Sequence, residues 1–294
     1  MVEGISIIIV NWNRKKDVLE LLSDIGRQSY PKIETIIIDN GSKDGSVEAF
    51  KRRFPKAKVI PLASNFGFHF GINRGVREAK GKIVIVVDSD CTITDPYFVS
   101  KVAEKFENGP DIVACSFKNY YTKEPAWDSP LHSHIGNDRD GYDCLIFNSA
   151  GFGIRKVILD ENKFNEEFFI YLGELELCLK LLEKGYVCKY FPDLVVFHKA
   201  IPNARPSNFR EFLSTRNLFW WCWLYLPFQY LTLRMFGFRN LLAKFLHNEA
   251  RESSAKGILC AITKLPWIIR NRKPLQYSIV KRFFDSFNNY TNKF

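Results

Sequence analysis

Two aspartates one residue apart, Asp88 and Asp90, close a run of apolar residues, Ile83-Val84-Ile85-Val86-Val87. An unbroken β-branched run reads as a strand buried on both faces of a parallel sheet, so the acids fall at its carboxyl end. That edge of an open α/β sheet is where ligands bind, and two carboxylates so spaced can aim their oxygens at one hard divalent cation that bridges a diphosphate. The alternative is a turn that ends a strand before the helix start Thr94-Asp95-Pro96. A second acidic pair, Glu174 and Glu176, opens a stretch with Leu175, Cys178, Leu179 and Leu182 at helical spacing and Gly185 as its stop. Glu174 falls in the first turn, where the helix dipole favours a carboxylate that can face a cleft; a solvated helix start is the plainer account. His198 ends a strand, Val195 to Phe197, and a lone histidine there is commonly structural.

These residues need a scaffold, and the first ninety positions supply one. Ser6 to Val10 form a short apolar strand followed by Asn11-Trp12-Asn13, and Lys15 to Gln28 carries Val18, Leu21, Leu22 and Ile25 at helical spacing. A second strand, Ile33 to Ile38, runs into Asp39-Asn40-Gly41-Ser42-Lys43-Asp44-Gly45-Ser46, residues that turn and cap. A helix from Ser46 to Phe54, a strand from Lys58 to Pro61 and a helix opened by Asn65-Phe66-Gly67 lead into the strand that ends at Asp88. Alternating strands and helices predict a right-handed parallel α/β sheet. Asn11, Asp39, Asn65, Asp88 and Asp90 then gather along one edge, as a polar ligand requires. Gly67, Gly71 and Gly75 are spaced by four after the third strand, unlike the G-x-G-x-x-G of dinucleotide folds, and their expected role is close packing of helix on sheet.

The ordered segments SIIIVNWN, IIIDNGSKDGS, NFGFHFGINRG and VVDSD resemble the nucleotide-sugar half of family-2 inverting glycosyltransferases, rhamnosyltransferase-like members among them, which have the glycosyltransferase-A fold. The resemblance implies a nucleotide-diphosphate sugar donor, UDP- or dTDP-linked, a divalent metal, Mg²⁺ or Mn²⁺, and a saccharide acceptor that is often lipid-linked. It places Val10, Asn11 and Asp39 on the nucleotide sugar, the last two at its base, with Asn65 and Gly67 against the nucleotide and Asp88 and Ser89 on the donor. Asp88, Asp90 and His198 are the implied metal ligands. The family text Glu-Asp-x-Asp, whose first Asp is the general base, falls on Gly173-Glu174-Leu175-Glu176. Glu174 is thereby the implied base and Glu176 a possible second acid, while glycine at 173 departs from the family text.

Residues 91–204 form the expected acceptor half. A helix, Pro96 to Glu107, and a strand, Ile112 to Phe117, precede a long polar and aromatic stretch from Asn119 to Tyr142, expected as a surface loop or lid whose Trp127 can stack on a sugar face. Leu145 to Ile154 reads as a strand whose small residues Ser149, Ala150 and Gly151 lie, by the resemblance, beside the acceptor. Tyr186 to Phe191 reads as an edge strand.

Charge is concentrated at the far end: residues 205–294 carry 15 Lys and Arg against 4 Asp and Glu, net +11, leaving the preceding residues at −1. Leu218 to Leu233 contains no charge but is interrupted by Pro227 and is shorter than the roughly 20 residues that cross a bilayer. Trp220, Trp221 and Trp223 with Arg216, Arg234 and Arg239, and again Lys264 to Lys273, suit either a buried core or a membrane interface. Nucleic acid is the weaker partner, since the cations are diluted among bulky apolar side chains. Seven scattered cysteines without a CxxC argue against a disulfide framework or zinc site and for a reducing cytoplasm, and no secretion signal precedes Ile5. The expected architecture is a single α/β glycosyltransferase-A domain, residues 1–204 with its nucleotide-sugar half at 1–90, followed by a helical, basic, membrane-associating region, 205–294. The expected activity is inverting, metal-dependent sugar transfer at the cytoplasmic face of the cell membrane. A nucleotide-sugar binder that has lost catalysis, or a basic membrane- or RNA-binding scaffold, is the alternative.

Overall fold

A computed structural model describes residues 4–121, 124–127, 132–147, 150–199, 207–235 and 251–291. Strand β1 (Ile5–Asn11) pairs in parallel with β2 (Ile33–Asp39) on one side and β4 (Ile83–Asp88) on the other, and β3 (Lys58–Pro61) extends the sheet beyond β2. Helices α1 (Lys15–Gly26), α2 (Ser46–Arg53) and α3 (Phe68–Glu78) make the crossovers. Side chains alternate across a strand. Ile5, Ile7 and Ile9 therefore join Val18, Leu21 and Phe50 in one apolar layer, while Ile8 and Val10 join Ile72 and Val76 in the other. A Cβ on Gly71 would stand 2.6 Å from Val10 Cγ1, and one on Gly75 2.6 Å from Ile8 Cγ2, so these glycines let α3 lie directly on β1.

Beyond β4 come β5 (Cys91–Thr92), α4 (Phe98–Asn108) and β6 (Ile112–Tyr121). The stretch expected as a loop is largely strand: β7 (Glu124–Trp127) folds back on β6, and β8 (His132–Asn137) and β9 (Gly141–Cys144) form a hairpin. Its turn has a local cause, because Asn137 Oδ1 accepts the N–H groups of Arg139 (3.0 Å) and Asp140 (2.9 Å) and Gly141 takes φ 75°. β10 (Gly151–Arg155) inserts antiparallel between β4 and β6, and β11 (Val187–His198) runs parallel to β6. Among the described residues the sheet order is β3-β2-β1-β4-β10-β6-β11-β9-β8. β11 is thus interior, not the expected edge, and its ladder slips between Phe191 and Val195, where Pro192 has no N–H to give.

The remaining described elements are helical: α5 (Lys156–Glu161), a 3₁₀ turn at Glu166–Phe168, α6 (Gly173–Glu183), α7 (Ser207–Tyr225), α8 (Phe228–Met235), α9 (Arg251–Thr263), α10 (Leu265–Asn271) and α11 (Tyr277–Thr291). α6 lies between two apolar layers. Leu177, Cys178 and Leu181 pack with Ile72 and Phe152 of the sheet side, while Leu179 and Phe168 pack with Trp220, Trp221, Leu224 and Val280. This double contact explains why α6 buries more faces than its leucine spacing suggests. Trp220 and Trp221 are 1% and 2% exposed, so this part of the uncharged run is core and not a membrane interface. No described helix is long and apolar enough to cross a membrane.

Candidate active site

The register of the parallel strands sets Asn11 beside Asp39 and Val10 beside Asp88 at the carboxyl edge of the sheet. Asn11 Nδ2 donates to Asp39 Oδ2 (2.6 Å) and Ser42 Oγ (3.0 Å), and the Ser42 amide donates to Asp39 Oδ1 (2.8 Å). Both Asn11 and Asp39 are buried, yet Asn11 Oδ1 has no partner. A buried acceptor left so costs about 1–3 kcal/mol, which a ligand N–H would recover. Asn40, which the sequence reading passed over, repeats the pattern: its Nδ2 donates to Gly67 O (3.1 Å) and its Oδ1 is unpartnered. Val10 turns its side chain onto Gly71 inside the core, and Asn65 Oδ1 accepts the Gly67 amide (3.0 Å), shaping the turn into α3. Trp12, next after Asn11, is 45% exposed, a rare exposure for so large a ring.

A few residues along the same edge, β5 pairs with the end of β11 and thereby brings His198 beside Cys91 and the two aspartates. His198 Nε2 lies 3.1 Å from Asp90 Oδ1 and 4.0 Å from Asp88 Oδ2. Burial pulls the His198 imidazole down, but the hydrogen bond to Asp90 and the charges of Asp90 and Asp88 outweigh it and hold its pKa above the ordinary value. Burial likewise raises Asp90, and the His198 hydrogen bond with the charges of His198 and Arg14 brings it below the usual carboxylate range. Arg14 Nη2 is 3.5 Å from Asp90 Oδ2, a fixed cation the sequence reading did not single out. Ser89 is half-buried between the two acids. Carboxylate oxygens with one imidazole are a donor set that suits Mg²⁺ or Mn²⁺. Cys91 also lies within reach, but burial raises its thiol well above the ordinary pKa and the thiol donates to Ala150 O (3.3 Å), so it serves the core.

The acidic helix is joined to the start of α3. The segment before α6 is strained: Phe169, Tyr171 and Leu172 have φ of 63°, 74° and 65°, a left-handed backbone that costs non-glycine residues on the order of 1–3 kcal/mol each. Phe169 O accepts the amides of Phe68 (2.6 Å) and His69 (3.3 Å) at the start of α3. Gly67, at φ 96°, is pressed so closely on Phe169 that a Cβ would lie 2.6 Å from its carbonyl oxygen. A continuous path of contacts therefore runs from Asn40 through Gly67 and Phe169 to the first turn of α6.

Glu174 and Glu176 differ sharply in their surroundings. Glu176 is taken up by the fold: Tyr225 donates its hydroxyl to Oε1 (2.6 Å) and Lys180 pairs with the same oxygen. Glu174 has no cation beside it among the described residues and is 8% exposed, and burial pushes its pKa up to about 7 despite the pull of its own backbone amide. Gly173 has a specific occupant against it. A Cβ there would lie 2.3 Å from Nε2 of His69, a fully buried imidazole stacked on Phe164 (centroids 5.4 Å apart), both of whose nitrogens lack a well-formed hydrogen bond. Burial drives its pKa down to about 3, against a weak upward pull from the Asn165 backbone, so this histidine is neutral.

The small residues assigned to the acceptor divide. Ser149 lies outside the described residues. Ala150 is buried, and its carbonyl accepts the Asp88 amide (3.1 Å); a Cβ on Gly151 would meet Phe117 Cδ2 at 2.8 Å. Ala150 thus supports the backbone at Asp88, and Gly151 packs against Phe117. Trp127 ends β7, opposite Asn119 of β6.

Comparison with known proteins agrees with this architecture. Over 123 residues the chain is 30% identical to glycosyltransferase GlyG of Streptococcus pneumoniae, covering 41% of each protein, and over 118 residues it is 32% identical to a poly-beta-1,6-N-acetyl-D-glucosamine synthase of Staphylococcus epidermidis, covering 38% of this chain and 28% of that one. The matched part thus spans less than half of either relative. The fold is similar to that of mannosyltransferase PcManGT from Pyrobaculum calidifontis in complex with GDP-Man and Mn²⁺ (TM-score 0.59, 16% identity, 91% of this chain and 72% of that one). It is also similar to that of Staphylococcus aureus TarS 1-349 in complex with UDP-GlcNAc (TM-score 0.58, 18% identity, 74% and 65%). These likenesses, with the mixed, mainly parallel sheet, identify a glycosyltransferase-A fold. The model of "Glycosyl transferase family 2" matches residues 6–163, more than half of the 294, and the chain belongs to that family.

Proposed function

We propose that this protein is an inverting glycosyltransferase that moves one sugar from a nucleotide-diphosphate sugar to a hydroxyl of a saccharide, in polysaccharide or glycan synthesis. One observation carries the reading: a buried carboxylate without a cation beside it among the described residues, Glu174, stands on a helix whose preceding segment is hydrogen-bonded to the start of α3, at the sheet edge that bears Asp88, Asp90 and His198. Asn11 Oδ1 and Asn40 Oδ1 are acceptors suited to a base N–H, and Trp12 offers a ring face for stacking. Uracil or thymine, as in UDP- or dTDP-sugars, has one ring N–H that one of these two acceptors would take. The GDP-Man and Mn²⁺ of the Pyrobaculum enzyme and the UDP-GlcNAc of TarS support a nucleotide-sugar donor and a divalent metal.

Asp88, Asp90 and His198 would hold Mg²⁺ or Mn²⁺, which would supply positive charge to offset that of a departing diphosphate. Glu174 accepts the proton of the acceptor hydroxyl as that oxygen bonds to the anomeric carbon opposite the diphosphate. The sugar–phosphate C–O bond breaks, its electron pair leaves with the diphosphate, and the single displacement inverts the configuration. A base with a pKa of about 7 is partly ionised near neutrality and basic enough to take the proton.

Residues 1–204 form the catalytic part in this reading, and 205–294 the part that meets the membrane. Leu259, Ile262 and Ile269 are exposed on α9 and α10, with Lys256, Arg270 and Lys273 also exposed near them in sequence. Apolar side chains flanked by cations suit an anionic bilayer, and a lipid-linked saccharide at the cytoplasmic face of the cell membrane is the fitting acceptor. The test is release of nucleoside diphosphate from a panel of nucleotide sugars with Mn²⁺ or Mg²⁺, with and without chelator, using membrane extract as acceptor. Chelator-sensitive release from one donor supports the reading; donor binding with no release across the panel would make the protein a binder only.

A further inference from the structure

The strained segment before α6 is held from a part of the chain that the family match does not reach. Asn217, on α7, is fully buried, and its Nδ2 donates to three carbonyls of that segment: Phe168 O (2.9 Å), Ile170 O (2.7 Å) and Tyr171 O (3.2 Å). A carboxamide has two N–H groups, so three acceptors share them. Its Oδ1 is fixed in turn by Arg216, which donates from Nε (3.0 Å) and Nη2 (2.8 Å). Arg216 Nη2 also donates to Glu167 O and Phe168 O, both at 3.2 Å, and its guanidinium lies over the Trp220 ring, 4.3 Å from the centroid.

The segment so held fixes the start of α6. Leu172, the left-handed residue before the helix, accepts the Glu176 amide (3.0 Å), and Glu174 is the second residue of the helix. Without the Asn217 carboxamide, Ile170 O and Tyr171 O would lose its N–H groups, while Phe168 O would keep the Ile170 amide (2.6 Å) and Arg216; the left-handed φ values draw no relief from glycine, which stands at none of these positions.

We propose that Asn217 is a positioning residue for sugar transfer: its carboxamide locks the 168–172 backbone in its left-handed form and so aims Glu174, making the carboxyl-terminal helices part of the catalytic apparatus. This rests on Glu174 being the base. The arrangement has two sides, because the start of α3 grips Phe169 from the donor side while Asn217 grips its neighbours from α7. The nucleotide pocket itself contains no contact to Asn217 among those described, so the effect falls on turnover and not on donor affinity.

The test uses the full-length Asn217→Ala variant, alone and with Leu172→Gly, which adopts a left-handed φ without strain. Expected for the single variant are at least a tenfold fall in kcat, a KM for the donor within twofold of the parent, a displaced acid limb in the kcat–pH profile, and faster hydrogen exchange at the Glu176 amide. The double variant should recover part of kcat. Unchanged kcat and exchange would overturn the proposal, and so would a joint loss of kcat, donor affinity and melting temperature that Leu172→Gly does not relieve. Failure of the underlying assignment reads differently: Glu174→Gln would keep transferring sugar, and Asn217→Ala would speed exchange without lowering kcat.

Discussion

Tyr225 donates its hydroxyl to Glu176 Oε1 at 2.6 Å, across the contact between α7 and α6. Burial, then the charge and hydrogen bond of Glu176, raise the phenol's pKa, so it remains a donor throughout the working range. Glu176 is 3% exposed and shares that oxygen with Lys180. One oxygen of the second acid is therefore committed to structure, while its Oε2 is buried without a hydrogen bond. Glu176→Gln is expected to retain sugar transfer within about fivefold and to lose about 1–3 kcal/mol of stability in urea, the range for disturbing a charged buried hydrogen bond. Glu174→Gln is expected to abolish transfer and keep donor binding. Loss of transfer in the first variant with retention in the second would reverse the assignment.

The pH dependence follows from the raised pKa of Glu174. As a base it works ionised, so kcat should fall on the acid side with a limb near 7, absent from residual activity in Glu174→Gln. Stability moves the other way. A carboxyl whose pKa rises from 4.5 to about 7 on folding contributes stability that is complete below 4.5 and lost as pH rises through about 7. Each unit is worth about 1.4 kcal/mol. Urea midpoints across pH 4.5 to 8 should decline less in Glu174→Gln than in the parent.

Glycine at 173 is a packing requirement of this chain, not a gap to be refilled. A methyl group there would strike the His69 ring, and overpacking of this kind costs about 1–3 kcal/mol. Gly173→Ala should be destabilised by that amount in the parent and by much less when made in a His69→Ala background, which carries its own cavity cost. Additive losses in the double variant would show that the two positions do not compete for one space.

Asp90→Asn should weaken Mn²⁺ binding in calorimetry at least tenfold and lower donor turnover, with the melting temperature within a few degrees of the parent. His198 sits 3.1 Å from that carboxylate, so His198→Ala should weaken the metal by a smaller factor. Equal Mn²⁺ affinity in parent and Asp90→Asn would remove Asp90 from the metal site.

Membrane association places its test on α9 and α10. Full burial of an isoleucine or leucine side chain is worth roughly 1.5–3 kcal/mol, so Leu259→Glu with Ile269→Glu should release the protein from phosphatidylglycerol vesicles. Binding by the parent should weaken with salt. Retained binding by the double variant would move the contact elsewhere.

What the sequence disclosed and what it withheld have physical reasons. The nucleotide half is built from contiguous strand and helix signals, each ended by its own turn residues, so Lys58 to Pro61 coincides with β3 and Asp39 and Asp88 stand where the apolar runs stop. The β8–β9 hairpin was hidden because its strands are polar and its turn reads equally as loop. Trp220 and Trp221 could not be placed from composition, since a core helix and an interfacial one share the same aromatic content; the packing of α6 against them decides it. His69 against Gly173, and Asn217 against Ile170, join residues remote in the chain, and no local pattern announces either contact.

The insertion of β10 between β4 and β6 has a consequence for biogenesis. A ribosome delivers β1 to β6 before it delivers Gly151–Arg155, so the nascent sheet carries two unpaired inner edges. β4 is the apolar run Ile83 to Val87, and an open edge of that kind invites pairing with another chain. Protease protection of β4 on stalled ribosomes should accordingly appear only after Arg155 has emerged; earlier protection would mean that the edge is covered by other means. Until then a chaperone that masks extended apolar strands has its natural client in this gap, and synthesis slowed upstream of Gly151 would lengthen the exposure.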